Sequence, residues 1–388
     1  MFFTGALQSL LTIGLWNFDL GARYAGLYAP LASSLPPVWL HSLLMIYGLF
    51  SFFFFGFLMT ALIKWVGATA LVQREYLPPF LLLATGWAGF YLSLLVPASQ
   101  TFALLLVASG WFWGWWVLIK ATYYGTSQAK AHAWAVLSAL GIGVPGLLAF
   151  IIGVQWSDAF LVRIAVEVGL WCCLLPVFFI VSHRMLPFFS STVIPRYTIY
   201  RSMPVLWTML ACFFLHALGN ILSAQRFFWP VDLLVAGLAF FLSWKWQVQR
   251  SFVVPLLAMH HVATLWLGIG FTLYAVQGGM LALGFSWGGL APLHALSIGY
   301  FASMLLGMAT RVTLGHSGRT LATDRWTWGL FWVFQLVVVL RLAGEFVVLS
   351  GFGNLIWLAS LGWLLVFGLW CRIHLPFYLK PRADGQAG

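Results

Sequence analysis

Long apolar runs dominate this chain and decide its class before any single residue does. Runs broken only by proline, glycine or charge fall near residues 38–67, 79–97, 101–121, 131–154, 158–181, 203–222, 229–247, 253–275, 288–312, 326–349 and 352–373. A helix needs about 20 apolar residues to cross the hydrocarbon of a bilayer, and these runs have that length. A water-soluble fold is excluded by the same reading, because 7% charged against 62% hydrophobic residues cannot clothe a 388-residue globule in water-facing side chains. A further run at 2–17 is short and lacks the basic leader of a cleaved signal peptide, so it counts as a first span. The expectation is an all-α polytopic membrane helix bundle of about 12 transmembrane helices, a single integral-membrane domain over 1–388 with a polar tail at 380–388.

In a soluble protein a net charge of +11 would suggest nucleic acid, but here the lipid bilayer is the partner and no nucleic acid is expected. Assigning the connectors alternately to two sides puts fifteen of the 19 Lys and Arg on one side. Only Arg23 and Arg226 fall on the other, while Arg163 and Arg341 lie within spans. Cytoplasmic loops collect Lys and Arg, so the rich side is cytoplasmic, and both termini lie there if residues 2–17 cross. Cys172, Cys173, Cys212 and Cys371 show no CxxC spacing and read as small buried hydrophobes. The tryptophans at 111, 113, 115 and 116 read as an interfacial belt.

Histidine inside a span is costly unless it is paired or bound, so the nine His are where function should show. His41 opens the second span and His294 lies about six residues into the tenth, both toward the outer side. His216 sits two thirds along the seventh span, again outward, and His260 with His261 about eight residues into the ninth. Neighbours on a helix point about 100° apart, so only one of that pair should face the bundle centre. His316 lies just past the cytoplasmic end of the tenth span. Three or four His at compatible depths suit a haem or copper site, since imidazole ligates both metals. The competing reading is that each imidazole hydrogen-bonds a neighbouring carbonyl or hydroxyl, which is the preferred one for His132, His183 and His374 at span ends. Arg163 with Glu167 and Arg341 with Glu345 are spaced i, i+4. Each pair either neutralises itself or leaves its Arg to receive a haem propionate.

The stretch PLHALSIGYFASMLLGMATRVTLGHSGR from Pro292 to Arg319 resembles the signature of the NnrS family of bacterial membrane proteins. So do SHRMLPFFS from Ser182, HALGN at His216, HHVATLWLGIG, in which His261 takes the family histidine's place, and the run from His41 through GFLMTALIKWVGA. The resemblance implies a twelve-span protein of the bacterial cytoplasmic (inner) membrane that carries haem, of b type, and copper. It also implies a role in denitrification and relief from nitric oxide stress, with nitric oxide or another diatomic gas as ligand. The family-like histidines are His41, His216, His261, His294 and His316, of which the first four are the metal-ligand candidates, and Arg311 and Arg319 belong to the loop signature. The family's His, any residue, His, Glu, Met reads here His41, Ser42, Leu43, Leu44, Met45. Two potential ligands are thus leucines, which lowers copper more than haem, because copper needs about three ligands. The alternatives are a secondary transporter without a metal cofactor, which the Gly-broken helix at Gly141, Gly143, Pro145 and Gly146 would suit, and an enzyme like the haem-copper oxidases and nitric oxide reductases, which the adjacent His260 and His261 invite.

Overall fold

The computed structural model describes residues 1–30, 33–347 and 351–385, and the chain is 80% helical with no strand among the described residues. Helix α1 spans Phe2–Ala25, α2 Pro37–Val66, α3 Gln73–Ser93, α4 Pro97–Tyr124, α5 Ala131–Gln155 and α6 Ala159–Val193. Then come α7 at Met203–Ile221, α8 at Gln225–Lys245, α9 at Pro255–Ala282, α10 at Ala291–His316, α11 at Arg325–Ala343 and α12 at Leu355–Tyr378. Among the described residues, ten of these, α2 and α4 to α12, are long and apolar enough to cross a membrane. The fold is therefore an all-α, multi-pass membrane fold, as the apolar runs require.

The remaining two helices are the runs expected at 2–17 and 79–97, extended by polar turns. Helix α1 continues to Ala25 because Asp19 and Arg23, one turn apart, pair on one face. Helix α3 starts at Gln73, where the Glu75 carboxylate accepts the Val72 amide at 2.9 Å and closes the first turn. Starts elsewhere are set by capping side chains: Asp158 accepts the Phe160 amide at 2.9 Å, Asp324 the Thr327 amide at 2.7 Å and Asn354 the Ile356 amide at 3.0 Å. The ends of the expected span at 326–349 (348 and 349) and of the polar tail (386–388) lie outside the described residues.

The helices pack in two compact units. The first comprises Met1–Thr12 and Leu31–Val181. At its centre Tyr47 is wholly buried and donates to the Ala165 carbonyl at 3.2 Å. Its hydroxyl lies where a Cβ on Gly146 or Gly169 would stand, so both positions require glycine. Two π-helical stretches, Leu44–Gly48 and Val168–Leu174, meet around this contact. The tryptophan run divides rather than forming a belt: Trp113 and Trp116 are about half exposed, whereas Trp111 is buried and donates to Leu140 O at 3.0 Å, with Trp115 donating to Leu137 O at 2.7 Å. Four residues make just over one helical turn, which places Trp111 and Trp115 together on the face packed against α5.

The second unit comprises Ile13–Pro30 and Ser182–Gly388. Helices α7 to α12 run alternately up and down, so one end gathers Arg184, Arg196, Arg201, Lys245, Arg250, Arg311, Arg319 and Arg325, the basic end of this unit. The opposite end holds the α7–α8, α9–α10 and α11–α12 connections. Cys173, Cys212 and Cys371 are buried, Cys172 is half-buried, and no disulfide joins the four.

Candidate functional site

The hairpin of α7 and α8 brings together two ionisable side chains that chain order separates by sixteen residues. His216 lies five residues before the end of α7 and Asp232 seven after the start of α8, so the two face each other below the turn. His216 Nδ1 donates to Asp232 Oδ1 at 2.6 Å, and the residues are 3% and 4% exposed. With the proton held at Nδ1 by a carboxylate, Nε2 carries the lone pair and accepts from Asn220 Nδ2 at 3.2 Å. The Tyr274 ring stands edge-on to the imidazole at 4.7 Å and that of Phe271 at 5.6 Å.

A cavity of about 380 Å³ opens at this pair, lined among others by His216, Asn220, Asp232, Tyr274, Gln277 and Trp287. Its rim is tied by polar contacts from three helices. Gln277 donates to the Trp287 carbonyl at 2.9 Å and that of Gly289 at 2.8 Å. The next residue, Leu290, donates its amide to Glu345 Oε2 at 3.1 Å, and its carbonyl accepts from His294 Nδ1 at 2.9 Å. Glu345 in turn pairs with buried Arg341 at 2.7 Å. The structure thus gathers His216, His294 and Arg341 at one end of the second unit, with Arg341 engaged by Glu345.

The other expected site residues lie elsewhere. His261 is the seventh residue of α9 and Tyr274 the twentieth, which separates them by about 20 Å at 1.5 Å per residue. His261 Nε2 is bonded to Ser190 Oγ at 3.0 Å, and His260 Nδ1 donates to the Leu256 carbonyl at 2.7 Å. The other nitrogens, His261 Nδ1 and His260 Nε2, are buried without a hydrogen-bond partner among the described residues. His316 is exposed at the far end of α10 from His294. His41, half-buried in α2, and Arg163, exposed on α6, belong to the first unit. His183 meets the Ser202 carbonyl at 3.1 Å and His374 the Trp370 carbonyl at 3.0 Å, the hydrogen-bonding roles expected at span ends. Among the described residues, no three His, Cys, Asp or Glu side chains converge to hold a metal ion. Sequence reasoning missed Asp232, Asn220 and Gln277. The signal for the first was present: Asp232 is the only acid between Glu167 and Asp324, and it sits in an apolar run.

Fold and site together define a multi-pass α-helical membrane protein with a buried imidazole–carboxylate pair facing a partly open cavity. The family model described as NnrS protein matches residues 1–382, so the chain belongs to the NnrS family. No curated protein matches it.

Proposed function

We propose that the chain is a haem-binding protein of the bacterial inner membrane, with His216 as an iron ligand and nitric oxide or another diatomic gas as what the iron binds, in nitric oxide response or denitrification. The observation that carries this reading is the His216–Asp232 pair at the cavity. Metal-ligating histidines characteristically donate their other ring N–H to a carboxylate or carbonyl, which fixes the tautomer and makes the ligating nitrogen more basic. Here Asp232 holds Nδ1, and the Asn220 side-chain amide donates to Nε2 at 3.2 Å, on the side of the ring that lines the cavity. Phe228, Tyr274 and Trp287 line the space together with Gln225 and Gln277, a mixed aromatic and polar lining that suits a planar, partly polar group. Haem would supply the iron coordination position at which a small gas binds. His294 at the rim is a second imidazole at the same end. Copper is less favoured, because Leu43 and Leu44 replace two family ligands and no three ligating groups converge among the described residues.

The test is a visible spectrum of detergent-purified protein, oxidised and reduced, with pyridine haemochrome and metal analysis on the same sample. A Soret band with stoichiometric iron, lost in His216→Ala, is expected. A colourless, metal-free protein from haem-replete cells would sink the reading and favour a secondary transporter without a metal cofactor.

A further inference from the structure

The basic end of the second unit gathers many more bases than acids, its acids being Asp324, which caps α11, and Asp384, which pairs with Arg382. From Val168 to Thr323 the sequence contains a single acid, Asp232, and that residue is bonded to His216 at the opposite end. The connector between α6 and α7 is held from both sides: its own Arg201 donates to the Arg184 carbonyl of α6 at 3.0 Å, while Arg250 donates to its Pro195 carbonyl at 2.7 Å and Trp246 to its Tyr200 carbonyl at 3.0 Å. These contacts hold Arg201 against Arg184, with Arg196 next to the tethered Pro195 in the same connector.

Two guanidinium groups there are left short of acceptors. Arg201 Nε is buried with no hydrogen-bond partner among the described residues, and burial lowers the pKa of the group from its ordinary value. Arg311 lies flat on the Phe189 ring at 3.9 Å from its centroid, with no carboxylate paired to it among the described residues. Phe189 links the two, since Tyr197 of the connector and Met308 of α10 pack on the cluster it forms with Ile194 and Leu257. A desolvated guanidinium is costly at the end of a membrane helix unless an anion meets it, and basic pockets between spans at this level suit lipid phosphates. Arg is the side chain that matches phosphate by a planar fork of donors.

We propose that this end of the unit binds a phosphate group, that of an anionic lipid headgroup, through Arg311 and Arg201 with Arg184 and Arg196 beside them. The site is independent of haem binding. It is tested on the full-length protein, delipidated in detergent, by following the thermal unfolding midpoint on addition of phosphatidylglycerol, phosphatidylcholine or inorganic phosphate. Phosphatidylglycerol should raise the midpoint by several degrees over phosphatidylcholine, and Arg311→Gln should remove most of that rise. Arg226→Gln, with the same charge change at the opposite end, should keep it. Exposed Arg196→Gln serves as a second variant should Arg311→Gln not fold, and it should reduce the rise. Inorganic phosphate matching phosphatidylglycerol would support the phosphate site and identify its ligand as soluble. Equal effects of the two lipids without a phosphate effect, or equal losses in Arg311→Gln and Arg226→Gln, would overturn the proposal.

Discussion

His216 and Asp232 are bonded at 2.6 Å across a helical hairpin, both all but removed from solvent. In the proposed centre the carboxylate fixes which nitrogen faces the cavity and supplies electron density to it. Asp232→Asn keeps the shape and removes the charge, so haem affinity should fall roughly 10–100-fold, the usual effect of losing such a partner. Haem titration of the apo-variant measures this, and the reduction potential should rise because a less basic imidazole favours ferrous iron. Unchanged affinity and potential would exclude Asp232 from the centre.

Ser190 holds His261 at 3.0 Å, far from the cavity. Ser190→Ala should cost about 0.6 kcal/mol, the average for hydrogen bonds between membrane helices. Equilibrium unfolding reads the cost, and haem content per folded molecule should stay the same. Loss of haem in this variant would move the ligand from His216 to His261.

The divided tryptophan run makes a paired test. Trp111→Ala opens a cavity in the first unit and removes the bond to Leu140, which should cost about 3–5 kcal/mol. Trp113→Ala should stay within about 0.5 kcal/mol, since its ring is 46% exposed. Similar losses in both would contradict the inward orientation of Trp111.

Arg341 is bound to Glu345, which also receives the Leu290 amide at the start of α10. Arg341→Leu should therefore lower the yield of folded protein, by about 3 kcal/mol of stability where an ion pair this buried loses one partner. Haem per folded molecule should not change. Haem loss at full yield would instead assign Arg341 to a propionate.

The membrane class and nearly every helix were legible from apolar run length, because lipid forces each crossing to satisfy its own backbone and so leaves a continuous signature. Helix ends were less legible. The α1 extension depends on the Asp19–Arg23 pair, which a search for apolar runs reads as an interruption. Counting along the runs put His294 and His316 toward opposite ends of α10, as the structure has them, yet it set His261 nearer the middle of its span than its place in the second turn of α9, chiefly because that helix runs to Ala282, seven residues past the end of the apolar run. The partners of His216 could not be seen by listing histidines. Asp232 and Asn220 reach it through hairpin packing, a tertiary relation that residue spacing alone does not encode.

Directly after His294, residues Ala295–Ala302 of α10 form a π-helix before the α-helix resumes at Ser303. Such a stretch accommodates an extra residue within an otherwise regular helix, and one residue corresponds to about 100° of rotation. His294 and Arg311 therefore do not share the azimuth that uniform α-helical counting assigns them. Removing one residue from 295–302 would leave a shorter, more regular helix with His294 swung to a different neighbour, so in this segment length itself sets direction.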